Sequence, residues 1–257
     1  MATLVSADWV QERLGAPGFV VIDPRSAMRY LMGHLRLAVS MPYKKLSDTQ
    51  GKLLPDSQLA EALGSMGLGD GDTPVIYDSH DGRNAAMLAW ALEYLGRDDV
   101  HIMEVTFQHW VAERRDIFYR PVEADSQNFS ARPNPQLRAA LADVSPNFGA
   151  KVVDLRSKDE FDGNTEDDER PGHIPGSLNI EWSELAGDDG QLLCTDDKAR
   201  SLLEAAGVNP GDRIIATCRS GVRAALGSLA WRRLGYDVRL YPGSFLEYMA
   251  SGLPVEH

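Results

Sequence analysis

Within the stretch IIATCRSGVRAA (residues 214–225), Cys218 is followed at once by Arg219 and, beyond Ser220, Gly221 and Val222, by Arg223. A thiol attacks as its thiolate, and nearby cations and backbone N–H groups favour that form. The flanking pattern supplies both. The apolar, β-branched run before Cys218 reads as a strand, and the alanine-rich run from Val222 reads as a helix. In parallel α/β domains ligands bind at the carboxyl ends of strands, which is where Cys218 is expected. The helix would aim its first N–H groups and the positive end of its dipole at the turn. Gly221 permits the tight fold that makes successive N–H groups converge into an anion-binding nest. The plainer alternative is a cysteine buried as a small hydrophobe.

The elements that must position this turn are written twice. TPVIYDSHDGRNAAMLAWALEYLG (73–96) parallels DRIIATCRSGVRAALGSLAWRRLG (212–235) without a gap, at an offset of 139 residues. FVVIDPRSAMRYLMGHLRLAVSMP (19–42) likewise parallels KVVDLRS and GHIPGSLNIEW within 151–182. Asp23 and Asp154 are 131 apart, so the second copy carries eight further residues inside DEFDGNTEDDERP. Each copy reads as an early helix capped by Ser6 or Asn134, a strand (19–23; 151–155), a Gly-His loop and a helix (57–66; 196–206). A strand (74–78; 213–217), a helix (83–95; 222–234) and a third strand (99–103; 237–241) complete it. Short strands separated by helices predict an α/β fold with two domains, each a parallel sheet flanked by helices on both faces. Residues 119–133, polar and holding two prolines, read as a linker between domains 1–118 and 134–257.

The first copy differs where chemistry would occur. Its turn reads YDSHDGRNAA, with Ser79 in the cysteine's place. Ser79, His80 and Asp81 are adjacent in a tight turn and cannot line up as a triad. The first copy is therefore expected to do no chemistry.

Composition bounds the partners. The 257 residues include 38 acidic and 26 basic side chains, a net charge of −12, which argues against nucleic-acid or anionic-membrane binding. With 43% hydrophobic and 25% charged residues the chain reads as globular, and it shows no basic-then-apolar leader and no apolar run of membrane-spanning length. A cytoplasmic location and two free thiols, Cys194 and Cys218, are the corresponding expectations. No histidine has metal-ligand spacing with either cysteine.

The landmarks VVDLRS, GHIPGSLNIEW, CRSGVR and LYPGSFLEYMASGLPVE, with looser counterparts VIDPRS and GHLRLAVSMP, resemble the tandem-domain rhodanese family of sulfurtransferases over nearly all of residues 4–256. The resemblance implies two rhodanese-like domains, the second carrying the catalytic cysteine. Cys218 would take the sulfane sulfur of a small anionic donor as a persulfide. Cyanide, a thiol or a protein acceptor would then remove it, without metal or organic cofactor. Loop residues Arg219, Ser220, Gly221, Val222 and Arg223, with Arg156 and Arg170, would bind the donor. A basic residue after the cysteine, here Arg219, leans toward thiosulfate. Arg170 resembles an arginine that binds the carboxylate of 3-mercaptopyruvate and keeps that donor as an alternative. A relay passing its persulfide to a protein partner is another.

Two positions depart from the tandem pattern. Arg223 stands where threonine is usual, and Glu160 where an arginine often grips the substrate. For Arg156, bracing Asp154 at the strand end competes with donor binding, and bracing is favoured. His173 is read as a turn residue, Cys194 as a bystander. Residues 160–169, with six acidic side chains, read as a solvated insertion or a strip for a basic acceptor. A phosphatase loop of the Cys-x5-Arg kind is one residue longer than the one here, so phosphate transfer is disfavoured.

Overall fold

The valine- and isoleucine-rich runs of each copy pair as neighbouring parallel strands, and the alanine-rich runs become the helices between them. A computed structural model describes residues 1–257 except Gln50, His80, 145–148 and 166–169. In chain order the first copy forms β1 (Thr3–Val5), α1 (Ala7–Arg13), β2 (Phe19–Asp23), α2 (Ala27–Leu31), β3 (Val39–Ser40) and α3 (Asp56–Ser65). It continues with β4 (Thr73–Ile76), α4 (Arg83–Tyr94), β5 (His101–Met103) and α5 (Phe107–Ala112). The second forms β6 (Lys151–Asp154), α6 (Lys158–Phe161), β7 (Leu178–Asn179), α7 (Asp196–Ala205), β8 (Arg213–Thr217), α8 (Val222–Arg233), β9 (Asp237–Leu240) and α9 (Ser244–Ala250). Among the described residues no helix is long and apolar enough to cross a membrane.

The sheets run β1-β5-β4-β2-β3 and β7-β6-β8-β9, with every strand pair parallel. Both reverse direction at an equivalent point. From β6 the chain goes to β7 on one side and then crosses to β8 on the other, so a crevice opens between the carboxyl ends of β6 and β8. Apolar side chains such as Val152, Ile174, Ile215, Tyr241 and Phe245 form the core beneath the second sheet. Val21, Leu35, Val75, Tyr77 and Trp110 do the same in the first.

Two sequence expectations differ from the structure. Ser6 caps α1 as expected, accepting from the Trp9 N–H at 3.1 Å. The helix expected after Asn134 is instead two 3-10 turns, Pro135–Leu137 and Leu141–Val144. Between them Ala139 donates its N–H to the Leu240 carbonyl at 2.8 Å, so this segment covers the open edge of β9. Edge pairing there outweighs helix propensity.

The supposed linker 119–133 lies in the first compact unit, which comprises Met1–Asn134 and Gly187–Leu193. Its polar groups are tied down: Gln127 N–H to the Gly64 carbonyl, Arg132 N–H to that of Leu95, and Ser130 to Asp70. Phe129 is buried beside them. The other unit comprises Pro135–Ala186 and Cys194–His257. Residues 187–193 had no sequence signal for this placement. Leu192 donates to the Glu104 carbonyl, and Thr106 to that of Gly190.

Candidate active site

β8 ends at Thr217, and Cys218 follows directly, buried at 1% exposure. Gly221 caps α8 with φ +88, a left-handed backbone that side-chain-bearing residues rarely adopt. A methyl group there would also sit 2.9 Å from the Pro242 carbonyl oxygen. This turn carries the Gly221 N–H back to the cysteine sulfur, at 3.1 Å from Sγ.

The N-terminus of α9 shapes the rest of the loop. Phe245 N–H donates to the Cys218 carbonyl at 2.9 Å and Leu246 N–H to the Arg219 carbonyl at 3.0 Å. Among the described residues no peptide bond is cis, so with those carbonyls turned toward α9 the N–H groups of Arg219 and Ser220 point the opposite way. The loop is thus an amide-lined nest at a helix N-terminus, with a sulfur at its base.

Ser244, to which sequence reasoning assigned no role, completes this arrangement. Its Oγ accepts from the Cys218 N–H at 3.2 Å and donates to the Tyr241 carbonyl at 2.8 Å. It is fully buried and has φ +51, an uncommon conformation for a residue with a side chain. The only hint in the sequence is a serine placed between Gly243 and Phe245, just after a strand. Ser244→Ala would leave the Cys218 N–H without this acceptor. We expect a loss of about 1–2 kcal/mol in unfolding free energy, the cost of a missing buried partner, with slower sulfur loading. Denaturant unfolding and single-turnover loading check it; unchanged values in both would remove Ser244 from this role.

Across the crevice, the end of β6 supplies Asp154, Arg156 and, at the start of α6, Ser157 and Glu160. Arg156 is fully buried, and its guanidinium donates to both Asp154 oxygens and to the Gly172 carbonyl at 2.8 Å. It also lies over the Phe245 ring at 3.9 Å. This is the bracing geometry. The same device occurs in the first unit, where Arg25 binds Asp23 and the Gly33 carbonyl and lies 4.0 Å over Phe107.

Arg223 extends from the first turn of α8 to Glu160, with Nη1–Oε2 at 2.5 Å and Nη2–Oε1 at 2.8 Å. Both side chains are largely buried, at 17% and 15% exposure. Glu160 also closes a capping box on α6, accepting from the Ser157 N–H. Burial alone would raise the Glu160 pKa; the Arg223 hydrogen bond and charge, with Ser157, overcome it and hold the carboxyl at about 2. Burial works to lower the Arg223 pKa, but the Glu160 hydrogen bond and the charges of Cys218, Glu160 and Asp154 raise it above the usual arginine value.

The structure brings Cys218, Arg219, Ser220, Gly221, Val222 and Arg223 into one loop. Arg219, Ser220 and Val222 are half-buried. Arg170 is not part of that cluster. Its guanidinium donates to the Met249 and Leu253 carbonyls, at and beyond the last turn of α9, where a cation complements the helix dipole. His173 stacks on Phe161 at 3.7 Å and its Nδ1 lies 2.9 Å from the Phe161 carbonyl, a turn-bracing role matched by His34 on Tyr30. Cys194 and Cys218 are not joined in a disulfide. The insertion's Glu166, Asp167, Asp168 and Glu169 lie outside the described residues.

In the first unit the equivalent turn holds a carboxylate group. Asp78, fully buried, accepts from the N–H groups of Ser79 at 2.7 Å and Ala85 at 2.9 Å, so its own carboxylate occupies the start of α4. Burial pushes its pKa up to about 6 despite those bonds, and Asp81 adds to the rise. Ser79 Oγ accepts from Arg29 Nη1 at 3.1 Å. His80 lies outside the described residues.

This geometry has known counterparts. The model of the rhodanese-like domain matches residues 6–113 and again 135–251. The chain is 32% identical to the thiosulfate sulfurtransferase of Corynebacterium glutamicum, over 95% of this chain and 87% of that protein. It is 31% identical to a candidate thiosulfate sulfurtransferase of Mycolicibacterium smegmatis, over 98% and 97%. Among solved structures, the 3-mercaptopyruvate enzyme SseA of Escherichia coli superposes with a TM-score of 0.85 at 29% identity, covering 95% of this chain and 99% of SseA. An anaerobic ergothioneine biosynthesis enzyme of Chlorobium limicola has the same fold, with a TM-score of 0.89 at 20% identity over 98% of this chain and 69% of that one. With two matched domains and full-length relatives, this chain belongs to the rhodanese family of sulfurtransferases, as a tandem-domain member.

Proposed function

We propose that the chain transfers a sulfane sulfur from thiosulfate to cyanide or a thiol acceptor through a persulfide on Cys218, acting in the cytoplasm. The observation that carries this reading is the cysteine sulfur at the base of an amide-lined nest, 3.1 Å from the Gly221 N–H. The Cys218 thiolate attacks the outer sulfur of thiosulfate. A new S–S bond forms, the old one breaks, and its electron pair leaves with sulfite. The acceptor then attacks the outer persulfide sulfur, and the electron pair of that S–S bond returns to the Cys218 sulfur. With cyanide the product is thiocyanate.

In both steps negative charge sits on sulfur inside the nest, where fixed N–H groups stabilise it without reorganising. Arg219, Ser220, Gly221, Val222 and Arg223 form the donor site, with Arg219 supplying charge toward it. The second domain carries the chemistry. The first, with Ser79 and the buried Asp78 at its turn, serves as its structural partner. Arg156 contributes by holding the strand end, and Arg170 by holding the end of α9.

A second reading takes 3-mercaptopyruvate as donor. Two observations favour it: the likeness to SseA, and Glu160, whose charge offsets that of Arg223. The deciding experiment is steady-state turnover of both donors, comparing kcat/KM on one preparation. Thiosulfate should be preferred. Arg219→Gly should lower its kcat/KM by about tenfold, and that of 3-mercaptopyruvate by less, because a dianion gains more from a nearby cation than a monoanion does. Equal losses would count against thiosulfate. Loading of one sulfur per chain without turnover would favour a relay.

A further inference from the structure

Glu160 and Arg223 are both unusual for a tandem rhodanese, and the structure explains the two departures as one. They form a single two-pronged ion pair, at 2.5 and 2.8 Å, between α6 and the first turn of α8. The pair lies beside the cysteine loop, since Arg223 is only five positions beyond Cys218 on the same turn. Its position matters because the same site in the first unit behaves differently. Counting from the matched Asp23 and Asp154, Arg29 stands where Glu160 does. Arg29 reaches Ser79, which stands where Cys218 does, with Nη1 3.1 Å from Oγ. A side chain at this position of the fold can therefore reach the nucleophile's place. In the catalytic copy the position is acidic, and its carboxylate is drawn to Arg223 instead.

We propose that Glu160 is a specificity-determining residue of the sulfur-loading step: by holding Arg223 in a neutral pair beside Cys218, it lowers the attraction of the site for doubly charged donors relative to singly charged ones. This rests on the reading of Cys218 as the sulfur-loading thiol. An uncompensated guanidinium attracts a dianion twice as strongly as a monoanion at the same distance, whereas a tight ion pair attracts both weakly. The geometry is a side-by-side fork, which fixes Arg223 as well as neutralising it. Glu160 acts through Arg223 and is thus a positioning residue, tuning which anion the loop admits.

The test is the ratio of kcat/KM for thiosulfate to that for 3-mercaptopyruvate, measured at several ionic strengths. Glu160→Gln keeps the shape and removes the charge. It should raise the ratio about fivefold at low salt, the gain shrinking as salt screens the freed cation. Ser157→Ala removes a hydroxyl partner of Glu160 but no charge, and should leave the ratio unchanged. An unchanged or lower ratio in Glu160→Gln, or an equal shift in Ser157→Ala, would overturn the proposal. If Glu160→Gln does not fold, Glu160→Asp draws the carboxylate back from Arg223 and should raise the ratio by a smaller factor; no rise overturns it equally. Should the wild-type chain load sulfur from neither donor, the reading of Cys218 itself falls, which the variants' ratios by themselves would not indicate.

Discussion

Cys218→Ser is expected to abolish sulfur loading, lowering turnover by about ten-thousandfold or more, the scale on which loss of a covalent nucleophile acts. The substitution is nearly isosteric, so the Gly221 N–H and the Ser244 contact should survive and the fold with them. What is lost is the sulfur: a hydroxyl in this nest has no base to take its proton, and an alkoxide is far less accessible than a thiolate. The first unit is a natural version of this variant, since Ser79 already stands at the cysteine's place. Cys194→Ser is the control. Cys194 is half-buried just before α7, and its loss should leave loading intact. Mass spectrometry of each variant after exposure to thiosulfate reads the added sulfur directly. Equal loss in both variants would sink the assignment.

Arg156→Leu should cost about 3–5 kcal/mol of stability in the second unit, because it leaves Asp154 buried without its cation. Asp154 is fully buried, and its side-chain oxygens are met by the Arg156 backbone N–H and guanidinium. The guanidinium further ties β6 to the Gly172 carbonyl and lies over Phe245, which itself donates to the Cys218 carbonyl. One residue thus links the strand end, the Gly-His turn and the cysteine loop. If Arg156 instead gripped the donor, the variant would raise KM with the unfolding midpoint unchanged. The same bracket around Arg25, in a copy with serine at the nucleophile's place, favours the structural outcome. Denaturant unfolding beside donor kinetics separates the two.

Much of this was legible in the chain. Strand β2 spans the residues 19–23 expected of it, and α4 and α8 follow their alanine-rich stretches within a residue or two, because local burial patterns set these elements. The capped start of α1 was legible for the same reason. The segment after Asn134 was not: its helical pattern yields to pairing along β9, a partner about a hundred residues away in sequence. Nor was 119–133, whose polar composition resembles a linker but whose hydrogen-bond partners, Gly64, Asp70 and Leu95, lie far back in the chain.

At the site the division is sharper. The sequence by itself determined the duplication, the cysteine loop and the divergence of its serine-bearing twin, because these are local and repeat in register. Only the tertiary structure decided how each charged group is spent. Arg156 holds Asp154 and the Gly172 carbonyl, Arg170 meets the carbonyls at the end of α9, and Arg223 is joined to Glu160. An arginine's reach spans several neighbours, so its partner depends on which strand ends and helix starts the fold brings together. The fold meets that condition between β6 and β8, where the chain reverses its direction across the sheet.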